Sequence, residues 1–215
     1  MEKHMNFDEI FDKITSKFTP EYFEEASKNA YKDDREYPEN FSNWYFCIKD
    51  FGNFAHTEII SNQIFTYEDV KLMQKTDDIT KVDWNEINNI LKPTLDKMDP
   101  YTIYNIKNGC FSNKFEFNTC LARRDNLARQ LWKINEQSCM FSTGGYTELV
   151  VRELIPIDID HQLTIYNGMP LRTEVRVFYN MDTKQIEYIV DYWDYEYCHE
   201  NLHSANDRLI FDIFH

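Results

Sequence analysis

The run Thr147-Glu148-Leu149-Val150-Val151-Arg152-Glu153-Leu154-Ile155-Pro156 is followed, after a polar loop, by Arg172-Thr173-Glu174-Val175-Arg176-Val177-Phe178-Tyr179 and by Ile186-Glu187-Tyr188-Ile189-Val190-Asp191-Tyr192-Trp193. The second and third runs alternate with period two and are joined by a short polar stretch, which predicts a β-hairpin. With Met181 to Lys184 as its loop, Arg176 lies opposite Ile189, Glu174 opposite Asp191 and Arg172 opposite Trp193. One face then carries Val175, Val177, Tyr179, Ile186, Tyr188 and Val190, a core face. The other carries Arg172, Glu174, Arg176, Asp191 and Trp193. A buried face tolerates that much charge only when the charges pair or face a site.

At 215 residues the chain is long enough to bury a large core. Its formal charge of -14, with no long basic run, argues against general binding to a nucleic acid backbone. The same acidity leaves a basic protein or peptide as a conceivable partner. Cys47, Cys110, Cys120, Cys139 and Cys198 are irregularly spaced and odd in number, which points to a reducing compartment. Lys3 and His4 are not followed by the apolar core of a signal peptide, and no run approaches a membrane span. The expectation is a cytoplasmic protein without a membrane segment.

Pro20 after Thr19 predicts a capped helix over 21–31, followed by a polar loop over 33–40. Strands are expected over 44–48 and within 57–65, and a short helix over 67–74. Asp83 with Glu86 reads as a helix cap, and Pro93 should interrupt or kink the helix that follows. A strand over 101–107 ends at the turn Asn108-Gly109. The spacing of Leu121, Leu127, Ala128, Leu131 and Trp132 predicts a helix over 121–132. Gly144-Gly145 breaks the chain before the strand over 147–155. Helices lead early and strands late, which favours a mixed α+β or α/β body; the fold expected is α+β, an antiparallel sheet with flanking helices. The expected division is 1–98, a mixed helical or α+β region, and 99–215.

Several polar residues fall where chemistry is done. Lys107 ends a strand beside the polar loop 108–114, where a lysine and backbone N–H groups can neutralise nucleotide phosphates. Glu153 and Leu154 end an apolar strand and could offer backbone groups to an adenine edge. Asp158 or Asp160 follows closely enough to reach a ribose hydroxyl. Glu174 and Arg176 could orient a phosphate or acyl group.

On these residues the chain resembles the ATP-grasp superfamily. Leu-Val-Val-Arg-Glu-Leu-Ile-Pro followed by Glu-Val-Arg-Val-Phe-Tyr looks like its nucleotide-hinge strand and succeeding arginine strand. The likeness covers roughly 101–193 and is greatest to members proposed to modify RNA or peptides. It implies two lobes around a site for ATP and Mg²⁺, and an ATP-dependent ligase that forms an acyl phosphate for a nucleophile to attack. Lys107, or Lys114 in its place, would contact phosphate. Glu153 and Leu154 would form the hinge, Asp158 or Asp160 would hold the ribose, and Arg176, beside Glu174, would be the catalytic arginine. No Glu-x-Asn metal signature follows Arg176, which implies a truncated or reduced version of the fold. Asp207 and Asp212 are the late acids left for Mg²⁺.

Other readings stand beside this one. Lys107, Lys114 and Glu153 could be solvated strand-end charges, and Glu174, Arg176 and Asp191 a cross-strand ladder worth roughly 0.2–1 kcal/mol per pair. A non-enzymatic module on the same reduced fold could engage a basic partner. His199-Glu200-Asn201-Leu202-His203 matches the H-E-x-x-H pattern of zinc hydrolases, with His199 and His203 as ligands. Its setting is aromatic and acidic, and Leu209 stands where the metzincin extension needs a histidine.

Overall fold

In the computed structural model the apolar run 149–151 becomes the centre of a sheet. The structure describes residues 11, 15–48, 57–155, 164–165, 169–171, 174–180, 182–194 and 196. They gather into two units, Met1–Asn113 with Thr119–Leu154, and Lys114–Asn118 with Ile155–His215.

In the first unit the helices are α1 (Pro20–Glu36), α2 (Phe41–Ile48), α3 (Tyr67–Met73), α4 (Trp84–Leu95) and α5 (Leu127–Met140). The strands are β1 (Ile59–Ile64), β2 (Tyr104–Asn108), β3 (Leu121–Ala122) and β4 (Glu148–Glu153), in the order β1-β4-β2-β3 with every pairing antiparallel. Leu149, Val150 and Val151 are all inaccessible. A strand buried on both faces reads as a continuous apolar run and not as an alternation. Leu149 and Val151 belong to the cluster that holds Ile106, Ile87, Leu91, Leu131 and Ile134, supplied by β2, α4 and α5. On the other face Val150 stands opposite Lys107 and Asn62. The sheet therefore joins 59–64 to 104–153, and the described residues do not divide at 98/99.

Local chemistry accounts for most boundaries. Thr19 accepts from Tyr22 N at 3.2 Å with Pro20 at the helix opening, as expected. Helix α1 continues past Tyr31 to Glu36, so 33–36 is not loop. Nothing in Asp33 to Glu36 breaks a helix, and the chain leaves it at Tyr37, just before Pro38. Asp83 accepts from Asn85 N and Glu86 N at 3.0 and 3.2 Å. Pro93 lies within α4 but does not end it, because the helix has only two more residues to run.

The strand expected over 44–48 is helix. Phe41, Trp44 and Tyr45 fall at three- and four-residue spacing and pack on one another, with ring centroids 5.2 Å apart for Phe41–Trp44 and 4.5 Å for Phe41–Tyr45. The helix expected from 121 begins at Leu127. Leu121 and Ala122 are drawn into the sheet by pairing with Asn105 and Tyr104, and Asn126 turns the chain by accepting from Arg123 N at 2.8 Å.

The second unit contains β5 (Thr164–Ile165) paired with β6 (Met169–Pro170), and β7 (Val175–Asn180) paired with β8 (Gln185–Asp191). The hairpin and its loop are as expected, since Asn180 pairs with Gln185. Its register is not. A bulge at Glu187 takes Phe178 to Tyr188, and from there Arg176 faces Val190 and Val175 faces Asp191. One inserted residue moves every side chain beyond it to the other face. The core face expected for this hairpin is also not buried, for Val175, Val177, Ile186, Tyr188 and Val190 are each about half exposed or more.

Candidate functional site

Lys107 and Glu153 are placed by the sheet. Lys107 pairs with Val150 and Glu153 with Tyr104, so the two side chains leave opposite faces. The Lys107 ammonium stands 5.2 Å from the ring centroid of Phe41 and 5.6 Å from that of Trp44, a cation–π setting built by α2. Glu153 closes β4, exposed, with its backbone N–H donated to Glu58 O at 2.8 Å. That donor is therefore already engaged. Leu154 follows, half-buried. Asp158, Asp160, Asp207, Asp212, His199 and His203 lie outside the described residues. Among the described residues no group of three His, Cys, Asp or Glu side chains is arranged to hold a metal ion.

In the second unit two of the expected residues meet. Lys114 Nζ donates to Tyr192 Oη at 2.7 Å and lies 4.3 Å from the centre of that ring. The Arg176 guanidinium carbon lies 4.9 Å from the same centre. The two charges are thus within about one Debye length of each other, roughly 10 Å at 0.1 M salt. Among the described residues neither cation has a carboxylate within 4.0 Å. The bulge explains why. Tyr192 N donates to Glu174 O at 3.0 Å, and this register puts Tyr192 on the Arg176 face while Asp191 turns to the face of Val175. The ladder that would have neutralised Arg176 with Asp191 is not formed. Glu174 shares the face of Arg176 but makes no ion pair with it among the described residues.

Two cations converging on a phenol can hold an oxyanion. With Lys114 donating to the phenol oxygen, the Tyr192 hydroxyl proton is left to donate outward.

A second polar cluster, in the first unit, was not singled out by the sequence. Glu148 is wholly inaccessible, and its carboxylate accepts from Ser42 N at 3.2 and 3.3 Å, at the start of α2. Arg35 Nη1 stands 3.9 Å from it. Gly109 lies against the same carboxylate, where an added Cβ would come within 2.7 Å of Oε1. Nearby, Asp34 Oδ1 accepts from Gly145 N at 2.7 Å. Burial, then the Asp34 and Glu148 charges, push the Cys110 thiol up to about 12, so near neutral pH it is no nucleophile. Burial also lowers the pKa of Arg152, which donates from Nε to Asn105 Oδ1 at 2.9 Å. The available signal was Gly144-Gly145, both at positive φ (66° and 87°), a turn that serves to present a backbone N–H to Asp34.

Comparison with family models, with curated proteins and with solved structures found no match for this chain. No helix among the described residues is long and apolar enough to cross a membrane.

Proposed function

We propose that the chain binds the phosphates of ATP through Lys114 and Arg176, as an ATP-grasp-like protein of the ligase type. The observation that carries this reading is the convergence of the two cations on Tyr192 with no carboxylate beside them among the described residues. Two unneutralised positive charges held near one another cost stability unless an anion joins them. Arg176 offers a planar fork and Lys114 a point charge, a pair suited to a polyphosphate. In a ligase, ATP would supply the phosphoryl group of an acyl phosphate, and these residues would hold and orient its oxygens. Lys107, on the other face of its sheet from Glu153 and set over two aromatic rings, is the weaker candidate for the phosphate lysine. Asp207 and Asp212 remain the proposed Mg²⁺ carboxylates.

Titration calorimetry of the full chain with Mg-ATP tests this. Saturable binding, weakened at least tenfold in both Lys114→Ala and Arg176→Ala with unchanged circular dichroism, is the expected result. A folded wild-type chain that takes up no nucleotide would overturn it.

A second reading has its own observation. The hairpin β7–β8 exposes Val177 and Ile189 on one face and Tyr188 and Val190 on the other. Apolar surface of this kind marks interaction sites, and favours a non-enzymatic module that engages a basic peptide. Val177→Lys with Ile189→Lys should then abolish capture of a basic apolar peptide while nucleotide binding is kept.

A further inference from the structure

Helix α1 buries no residue, although its residues 20, 23, 24, 27, 31 and 34 recur at the spacing of one helical face. That face borders a cleft of about 570 Å³ whose other wall comes from α3 and from residues 144, 146 and 147. The small side chain of Ser27 leaves the middle of the wall open. A volume of this size is in the range of small-molecule sites, roughly 300–1,000 Å³.

The charges around the cleft are unequally matched. Glu24 is compensated by Lys71 Nζ at 2.6 Å and Lys28 Nζ at 3.7 Å. Asp34 forms no ion pair among the described residues, and its neighbour Arg35 is turned to Glu148. Gly145 N satisfies Asp34 Oδ1, whereas Oδ2 is buried without a hydrogen-bond partner among the described residues. Thr147 lines the same cleft at 1% exposure, and its Oγ1 also lacks a partner among the described residues. A buried carboxylate oxygen and a buried hydroxyl left unmatched are each costly, and a donor-rich cation would match both. The walls are aromatic: Tyr31 and Tyr67 meet edge to face with ring centroids 5.8 Å apart.

We propose that this cleft binds a small organic amine, its ammonium group paired with Asp34 and donating to Thr147 Oγ1, its apolar stem lying between Tyr31, Tyr67 and Phe23. An ammonium group supplies the donors and the charge that this floor lacks, and aromatic rings favour its positive edge. The cleft lies wholly in the first unit and does not depend on the phosphate reading.

The test is a calorimetric titration of the full chain with 2-phenylethylamine, beside 2-phenylethanol and 3-phenylpropionate as neutral and anionic analogues. Saturable binding of the amine alone is expected. Asp34→Asn, which keeps an oxygen for Gly145 N, should weaken it at least tenfold, and Thr147→Val about threefold. Ser27→Leu, on an exposed helix, should fill the cleft and remove binding with Asp34 intact. Absence of saturable amine binding by the folded wild-type chain overturns the proposal. So does equal affinity for the alcohol, or an unchanged affinity in Ser27→Leu, which decides the matter even where Asp34→Asn fails to fold.

Discussion

Glu148 and Arg176 are both charged residues on β-strands, and the structure treats them in opposite ways. Glu148 is inaccessible but matched: Ser42 N donates to both its oxygens and Arg35 stands beside it. Arg176 is exposed, and among the described residues it lacks the acid, Asp191, that simple alternation would have set on its face. A buried charge persists only where the fold satisfies it, so satisfaction marks Glu148 as part of the scaffold. An exposed cation costs little by itself. A pair of them drawn to one ring, with no acid beside them among the described residues, is the arrangement that awaits a ligand.

The sharpest way to break this contrast is to remove Glu148. Glu148→Ala leaves Ser42 N, in the first turn of α2, and Arg35 without their partner and opens a cavity against Gly109. A loss of about 3–5 kcal/mol is expected, read from urea unfolding. A loss under about 1 kcal/mol would show that the cluster is not structural. Arg176→Ala and Lys114→Ala should do the reverse. Stability should stay within about 0.5 kcal/mol, as for other surface substitutions, while Mg-ATP affinity falls at least tenfold for each. If stability falls and affinity does not, Tyr192 and its cations are scaffold too.

Legibility in the sequence divided along similar lines. The elements 59–64, 67–73, 84–95, 148–153 and the hairpin were readable, because a local cap or a period sufficed to specify each. Helix α2 was not, since its N-terminus is held by Glu148, a residue more than a hundred positions away. The start of α5 was obscured for a related reason: Leu121 has helical spacing to its neighbours, but β2 takes it as a strand. The difference with the largest consequence is the register of the hairpin. The loop lies where alternation predicts it, yet no side-chain pattern announces the bulge at Glu187, and that single residue decides whether Asp191 or Tyr192 shares the face of Arg176. The sequence marks Lys114 and Arg176 as candidates one by one, but nothing in it brings them to a common ring.

Cys110 refines the contrast by pH. Its thiol pKa is raised, chiefly by burial and next by Asp34 and Glu148, so the folded state favours the neutral form. The sign follows: the contribution to stability is fully present below the unfolded thiol value of about 8.5 and is lost as pH rises toward the folded value of about 12. Alkylation by iodoacetamide at pH 8 should therefore spare Cys110 while it labels the exposed Cys139. Mass spectrometry of the labelled chain checks this. Rapid labelling of Cys110 would mean that the Glu148 cluster opens readily and is less rigid than its hydrogen bonds imply.

The smallest expected effect concerns how the hairpin holds its register. Asn180 Oδ1 accepts from Asp182 N and Thr183 N at 2.9 and 3.0 Å, and its Nδ2 donates to Glu187 Oε1 at 2.7 Å. One side chain thus ties the turn to the bulged residue. The loop closes through Lys184 at φ 56°, a conformation that disfavours a residue with a Cβ. Lys184→Gly should relieve that strain and stabilise the hairpin by about 1 kcal/mol, seen as slower amide exchange at Val177 and Ile189. Because the bulge and the Arg176–Val190 pairing are untouched, Mg-ATP affinity should not change. A change in affinity without one in exchange would place Lys184 itself among the ligand contacts, and the cations on Tyr192 would no longer account for binding alone.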